Sequence, residues 1–214
     1  NWYHSYEVLP GLITPGKHLT DAGKIFADRY SLPDNLTGMT ALDIGTLDGP
    51  YAFEMERRGA RVTAMDIQDP DRTGFNTAKR VRGSHVHYVQ GSVYELSRLF
   101  NERFDIVTLF GVWYHLKNPV AAFEQLNGVV KDGGMLLFEG ECFKSYAQAA
   151  SGRVVTDDLG MLSPLAESQV PVALYYSGPY KGDAWSWFVP NAACVRQWLE
   201  TAGFEVTSQG FWDQ

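Results

Sequence analysis

Cysteine is scarce: Cys142 and Cys194 are the only two in 214 residues. Neither sits in a CxxC or Cys/His ligand spacing, which excludes a disulfide framework and a zinc site of sequence-recognisable form and leaves two buried thiols. Glu139 and Glu141 have no third ligand near them in sequence, so no metal is expected. Long apolar runs are missing as well. None approaches the roughly 18 residues of a membrane span, and Asn1-Trp2-Tyr3-His4 lacks the basic and apolar regions of a signal peptide. The expectation is a cytoplasmic chain with no membrane partner. An initiator Met is absent too, which points to a piece of something slightly longer. Basic residues are in deficit: 18 Lys and Arg against 25 Asp and Glu give a net charge of −7. Such a chain repels phosphate backbones at long range, which argues against a nucleic-acid partner. Lys79, Arg80 and Arg82 form the one tight basic cluster, and three cations on one helix read as a solvated face. Internal repeats and low-complexity tracts are lacking.

What is present is globular composition, 45% hydrophobic and 20% charged, at a length suited to one domain. From Met39 to Phe138 apolar runs of strand length alternate with helical patterns, the sequence form of a parallel sheet covered by crossover helices. The fold class is therefore α/β, a doubly wound Rossmann-like sheet. Strands are expected at 40–44, 61–67, 85–89, 104–110 and 135–139, the last after an Asp132-Gly133-Gly134 turn. Helices are expected at 50–58, with Pro50 in its first turn and Gly59 after its last, within 69–84, and along Ala122, Phe123, Leu126, Val129 and Val130. Residues 1–38 read as an N-terminal cap with one helix near 21–29, 39–140 as the core, and 141–189 as an irregular insertion. Residues 190–214 carry a last helix, on the stripe Val195, Trp198, Leu199 and Ala202, and a sixth strand at 204–207.

The chemistry concentrates in Leu42-Asp43-Ile44-Gly45-Thr46-Leu47-Asp48-Gly49, where a strand ends on an acidic residue and enters a G-x-x-x-G turn. Glycines let the backbone approach a ligand and take positive φ. In the dinucleotide fingerprint G-x-G-x-x-G the second glycine makes room for a pyrophosphate, and here that position is Leu47, which disfavours a nicotinamide oxidoreductase. A nucleotide without a pyrophosphate fits better. Asp66, ending the second strand, is placed to accept hydrogen bonds from both ribose hydroxyls. Each bond to a carboxylate is worth about 1.5–3 kcal/mol.

Together with VTAMDI, VQGSVYEL, FDIVTLFGVWYHLKNP and GGMLLFEGE, this block resembles the class I S-adenosylmethionine-dependent methyltransferases over about 100 residues. The resemblance implies S-adenosyl-L-methionine as cofactor and S-adenosyl-L-homocysteine as product. It implies that Gly45, Thr46, Leu47, Asp48 and Gly49 line the methionine part and that Asp66 holds the ribose, with Asp43 and Ile67 also among the cofactor-binding residues. Gly91, Ser92 and Val93 would border the adenine, with Ser92 standing where the family commonly has Asp. Phe110 and Gly111 would close the site beside the sulfonium. A seven-strand-type sheet is implied, of which this piece supplies six. WYHSYEVLPGLITPG and WSWFVPNAACVRQWLETAGF resemble a bacterial subgroup that includes the tRNA wobble-uridine carboxymethyltransferases. That enzyme type uses a carboxylated cofactor held by a lysine. The N-terminal part is much shorter here and makes Lys17 a poor counterpart, so ordinary S-adenosylmethionine is expected.

Methyl transfer is an in-line displacement in which the protein positions the acceptor and, where needed, removes its proton. His115 is the first candidate for that base, since an imidazole titrates near neutrality; the bland alternative is that it orients the loop before Pro119. Tyr114 either contacts the cofactor's amino-acid end or the acceptor, or packs. His4, Glu141 and Asp183 are further residues within conceivable reach. Trp2 and Tyr3, and Tyr175, Tyr176, Tyr180, Trp185, Trp187 and Phe188, form two aromatic-rich segments that either wall an acceptor pocket or make a homodimer interface. The expectation is methyl transfer to a small-molecule O or N acceptor. The alternatives are a tRNA nucleoside methyl- or carboxymethyltransferase and a non-catalytic cofactor-binding protein.

Overall fold

In the computed structural model, residues 1–143, 146–148, 154–156, 160, 162–176 and 184–211 are described. Tyr180, Asp183 and Gln214 lie outside the described residues. Contacts divide the chain into two units, Asn1–Phe110 with Gly128–Phe138 and Gly111–Asn127 with Glu139–Gln214.

The first unit is organised by a five-stranded sheet. Its strands are β1 (Thr40–Ile44), β2 (Arg61–Asp66), β3 (His87–Gln90), β4 (Phe104–Phe110) and β5 (Val130–Glu139), in the order β3-β2-β1-β4-β5. β1 and β4 are mostly apolar and buried along most of their length, as the middle of a parallel sheet requires, whereas β3 is exposed at both ends. β1 runs parallel to β2 and to β4, so that Ala41 faces Val62 on one side and Ile106 on the other. The order reverses between β1 and β4, and ligands of such sheets bind beyond the strand carboxyl ends at that reversal.

Helices α1 (Ala22–Tyr30), α2 (Pro50–Arg57), α3 (Phe75–Arg82) and the one-turn α4 (Leu96–Leu99) belong to this unit. The Asp21 side chain accepts from Lys24 N at the start of α1, and Pro50 opens α2 where its missing N–H costs nothing. Arg58, buried just past α2, donates to the carbonyls of Gly23, Leu32 and Pro33 and to Glu54, fastening the start of α1 and the chain after α1 to α2. Burial alone would raise the Glu54 carboxyl, but the hydrogen bonds from Arg57 and Arg58 outweigh it and hold it below its ordinary value. Phe26, Leu36, Phe53, Met55, Phe75 and Ile106 lie in one apolar core.

Several expectations need correction. β5 begins at Val130, not after the Asp132-Gly134 turn: Gly133 takes φ +75° inside the extended segment, and a Cβ on Gly134 would sit 3.0 Å from the Asp105 carbonyl oxygen. Two glycines thus let a strand absorb what reads as a turn. The N-terminal cap contains more than its helix. His4–Ser5 pairs with His18–Leu19, and Glu7–Leu9 pairs with Leu12–Ile13, in ladders too short to leave a periodic signal. Arg82 is not on a solvated face, since its Nη1 donates to Val8 O at 2.9 Å and its guanidinium lies over Phe53. The sixth strand is absent among the described residues. Phe204 and Val206 are half-buried between exposed neighbours, a strand-like alternation, yet no ladder forms and the Val206 carbonyl lies 3.4 Å from Arg196 Nη1.

The second unit holds α5 (Pro119–Val129), whose last two residues belong to the first, then α6 (Leu162–Glu167) and α7 (Ala192–Thr201). The stretch expected to be irregular contains two antiparallel ribbons, Tyr146–Gln148 with Val154–Thr156 and Ala173–Tyr175 with Phe188–Pro190. Asn191 organises this unit. Its Oδ1 accepts from Cys194 N and Val172 N, and its Nδ2 donates to Leu165 O and Val170 O, so a fully buried amide uses all four of its hydrogen-bonding positions.

Candidate functional site

β1 delivers its carboxyl end into a tight turn, and β2 delivers a carboxylate beside it. Gly45 and Gly49 take φ +75° and +92°, and Leu47 between them takes +47°. A leucine in the left-handed region is strained by about 1–2 kcal/mol, so something must hold it. That something is Asp66, whose Oδ2 accepts from Leu47 N at 3.0 Å while Oδ1 accepts from Gln68 N at 3.0 Å. Gly45 N and Thr46 N bond to the Met65 carbonyl, locking the turn to β2. Burial pushes the Asp66 carboxyl above its ordinary value, and the N–H groups of Gln68, Leu47 and Ile67 pull it back. A carboxylate has about four acceptor positions; two of Asp66's are taken by hydrogen bonds of normal geometry, from Leu47 N and Gln68 N, leaving two for a pair of hydroxyls.

Asp43 is buried one strand over, and Thr108 Oγ1 donates to its Oδ1 at 2.6 Å. Its Oδ2 and the neighbouring Thr46 hydroxyl, both buried, have no partner of normal geometry, although the hydroxyl lies close enough to favour the charged carboxyl. Burial is the main force raising the Asp43 carboxyl; Thr108, Thr46 and His4 oppose it, and Asp66 adds to it. Two orphaned oxygens beside a glycine turn suit the cationic end of a bound ligand, because a buried acceptor left empty costs about 1–3 kcal/mol.

Asp48, fully buried, faces the other way. Its Oδ2 accepts from Tyr3 N and His4 N, its Oδ1 pairs with His4 Nδ1, and its carbonyl accepts from the Tyr6 hydroxyl. Asp48 therefore fastens the N-terminal segment to the turn. Burial, with Asp48 beside it, holds the Tyr6 phenol far above its ordinary range.

On the far side of Asp66, Ile67 is 70% exposed, an apolar surface suited to the face of a planar ring. Gly91 N bonds to the Asp66 carbonyl, and a Cβ on Gly91 would meet Leu99 Cδ1 at 2.5 Å. Ser92 Oγ accepts from Tyr94 N and caps the short turn Val93–Glu95, so this hydroxyl is engaged with its own backbone; Val93 is buried. Phe110 stacks on Tyr30 and meets Tyr51 edge-on at 4.6 Å. The structure thus brings together Asp43, the whole turn 45–49, Asp66 and Gly91. Tyr51 and the hold of Asp48 on His4 were not expected from sequence.

Gly111, Tyr114 and His115 belong to the second unit. Gly111 N donates to Glu139 O, and a Cβ on Gly111 would meet the Tyr114 hydroxyl at 3.4 Å. Exposed His115 has Nδ1 3.4 Å from the Trp185 carbonyl, and Trp187 N donates to Tyr114 O. Trp185 and Tyr175 are largely exposed, Tyr176 is buried, and Lys117 Nζ lies 4.5 Å from the Trp187 ring. A separate cleft of about 640 Å³ is lined by Phe143, Ala166, Arg196 and Phe211 among others. Burial raises the Cys142 thiol to about 12 and the Cys194 thiol to about 11, so neither is a ready nucleophile. Lys17 is exposed. Among the described residues no cluster of three or more His, Cys, Asp or Glu is placed to hold a metal, and no helix is long and apolar enough to cross a membrane.

The β3-β2-β1-β4-β5 order, the glycine turn after β1 and the carboxylate ending β2 define an α/β domain of the class I S-adenosylmethionine-dependent methyltransferase fold. In comparison with known proteins, residues 42–138 match the family model of the methyltransferase domain. A tRNA U34 carboxymethyltransferase of Desulfotalea psychrophila is 28% identical over 174 residues, 81% of this chain and 47% of that protein. A ubiquinone biosynthesis O-methyltransferase of Azotobacter vinelandii is 31% identical over 103 residues, 48% of this chain and 44% of that protein. The chain spans about half the length of these relatives. An S-adenosylmethionine-dependent methyltransferase from Mesorhizobium loti shares the fold at TM-score 0.60 and 16% identity, over 88% of this chain and 83% of that one.

Proposed function

We propose that this chain binds S-adenosylmethionine at the β1–β2 carboxyl edge and catalyses transfer of its one-carbon group. The observation that carries the reading is Asp66, which spends half its acceptor capacity on the strained turn and keeps the other half for a ribose. The unpartnered oxygens of Asp43 and Thr46 fit the cofactor's ammonium, and Ile67 fits the adenine face. When bound, the cofactor supplies an electrophilic carbon on a sulfonium. The protein's share is to orient it and hold an acceptor in line, a contribution of about 7–11 kcal/mol when the reacting atoms are well aligned.

For the acceptor, the relatives' activity supports a uridine of tRNA, and this displaces the small molecule as first reading. A small O or N acceptor stays as the second reading on one observation, the net charge of −7, which opposes a polyanionic substrate. The test has two stages. Calorimetry with S-adenosylmethionine, S-adenosylhomocysteine, the carboxylated cofactor and NAD is expected to give binding by the adenosyl ligands; NAD binding more tightly than all of them would overturn the assignment. Label transfer to unmodified tRNA, set against a panel of phenols and amines, then separates the readings. Transfer to tRNA that weakens with salt supports the first, and transfer confined to the panel supports the second. Normal cofactor binding with no transfer to either would make the chain a cofactor-binding protein.

A further inference from the structure

We propose that His4, aligned by Asp48, is the proton acceptor of the transfer reaction; this rests on the transferase reading above. Asp48 has zero exposure and its side chain faces three donors: two backbone N–H groups on Oδ2 and the His4 ring on Oδ1. A carboxylate can only accept, so Nδ1 must carry a hydrogen, and the lone pair of the neutral ring is on Nε2. Nothing among the described residues hydrogen-bonds Nε2, and the side chain is 13% exposed, so that nitrogen opens towards solvent. This is the arrangement in which a buried carboxylate fixes the tautomer of an imidazole and steadies the imidazolium that forms.

Its place in the fold suits the role. Asp48 shares the 45–49 turn with Leu47, whose N–H is held by Asp66. The His4 ring meets Tyr51 at the start of α2 edge-on, 6.2 Å between centroids, and Tyr51 in turn meets Phe110 at the end of β4. The imidazole is thus at the carboxyl edge of the sheet, next to the reversal between β1 and β4. The titratable groups around it are Asp48, Asp43, Tyr3, Tyr6, Tyr51 and, across the short ladder, His18. A peg that merely fastened the N-terminus would need the two backbone N–H bonds and not an imidazole with one nitrogen left open. In the step itself, the acceptor oxygen or nitrogen forms a bond to the migrating carbon. The S–C bond breaks with its electron pair staying on sulfur, and the acceptor's proton passes to Nε2 and then to water. His115, the imidazole prominent in sequence, has a backbone carbonyl at its Nδ1 instead.

Asp48→Asn and His4→Gln test this. In Asp48→Asn the amide oxygen must face the two backbone N–H groups and its NH2 the ring, which forces the hydrogen onto Nε2. Two-bond 1H–15N correlation spectra are expected to show an Nδ1–H ring in the wild type and an Nε2–H ring in Asp48→Asn. Calorimetric affinity for S-adenosylhomocysteine should hold in His4→Gln. Meanwhile kcat, with unmodified tRNA or the phenol and amine panel as acceptor, should fall by about 10²–10⁴-fold and lose its acid limb. An Nε2–H ring in the wild type, or an unchanged kcat and pH profile in His4→Gln, would overturn the proposal while leaving the transferase reading intact. Failure of the wild type to bind S-adenosylhomocysteine would instead overturn the transferase reading, and this inference with it.

Discussion

Replacing Asp66 by Ala removes two kinds of contact at once, and their magnitudes can be separated. In the free protein it deletes the acceptors of Leu47 N and Gln68 N. The first holds a residue at φ +47°, so the loss is expected to cost about 1–3 kcal/mol of stability. At about 2–4 °C per kcal/mol for a chain of this size, melting of the free variant should fall by several degrees. In the complex it also deletes the two acceptor positions left for the ribose. Two hydrogen bonds to a carboxylate, at about 1.5–3 kcal/mol each, set an upper range of about 3–6 kcal/mol. With 1.4 kcal/mol per tenfold, Kd for S-adenosylhomocysteine should rise by about 10²–10⁴-fold. Isothermal calorimetry at neutral pH reads this directly, with near-UV circular dichroism showing that the variant remains folded. A folded variant whose Kd stays within about threefold of wild type, under 0.7 kcal/mol, would refute the assignment of Asp66 to the ribose.

Three other substitutions have expected outcomes. The Asp43 carboxyl is raised in the native state chiefly by burial, so the native state binds more protons and stability declines as pH rises from the unfolded value of about 3.9 through the higher native one; Asp43→Asn, with no charge to bury, should be more stable than wild type to urea at neutral pH, the gap closing in acid. The Asp105 carboxyl is lowered to about 2, first by Lys131 and then by Thr40 N. Its contribution is therefore present above about pH 4 and lost as pH falls towards 2, and at partial exposure Asp105→Asn should cost about 1 kcal/mol or less near pH 7 in pH-resolved urea titrations. A Cβ at Gly49, where φ is +92°, would approach Phe53 Cε2 to 2.5 Å and Phe75 Cδ2 to 2.9 Å. Gly49→Ala should therefore lose about 2–5 kcal/mol from backbone strain and overpacking together, seen as a lowered urea midpoint; a loss under 1 kcal/mol would mean that the turn relaxes freely.

Elements that announce themselves locally were legible. β1 and β4 have the expected limits because a mostly apolar run of strand length that stops at a glycine, Gly45 or Gly111, is a signal that needs no knowledge of its neighbours. α1, capped by Asp21, was visible in the same way. The errors fall where a distant partner decides. Residues 204–207 alternate correctly yet pair with nothing among the described residues, and alternation specifies a face without specifying a neighbour. Val130 joins β5 although it continues the apolar spacing of α5. Arg82 reads in sequence as one cation of three, yet its carbonyl partner, Val8, lies 74 positions earlier. The site divides likewise: the 45–49 turn and Asp66 follow from one strand end and the next, whereas His4 meets Asp48 across 44 positions without a spacing rule.

The three aspartates at this edge show why pattern alone could not apportion roles. All follow or end apolar strands, and a resemblance assigns all of them to the cofactor. Their surroundings separate them. Asp48 has its oxygens engaged by donors from the N-terminal segment, so it has little left to give a ligand and acts on the ring it holds. Asp66 is half satisfied, by N–H groups that also brace the turn, and so presents a rigid pair of acceptor positions. Asp43 has one oxygen matched by Thr108 and one with no hydrogen bond of normal geometry, only the nearby Thr46 hydroxyl, the least comfortable of the three in the free protein. Discomfort of that kind favours whatever cation relieves it, because a buried charge gains most from a partner where water cannot supply one. If Asp43 does receive the cofactor's ammonium, Asp43→Asn should stabilise the free protein and weaken S-adenosylhomocysteine binding, opposite signs that a purely structural carboxylate would not give.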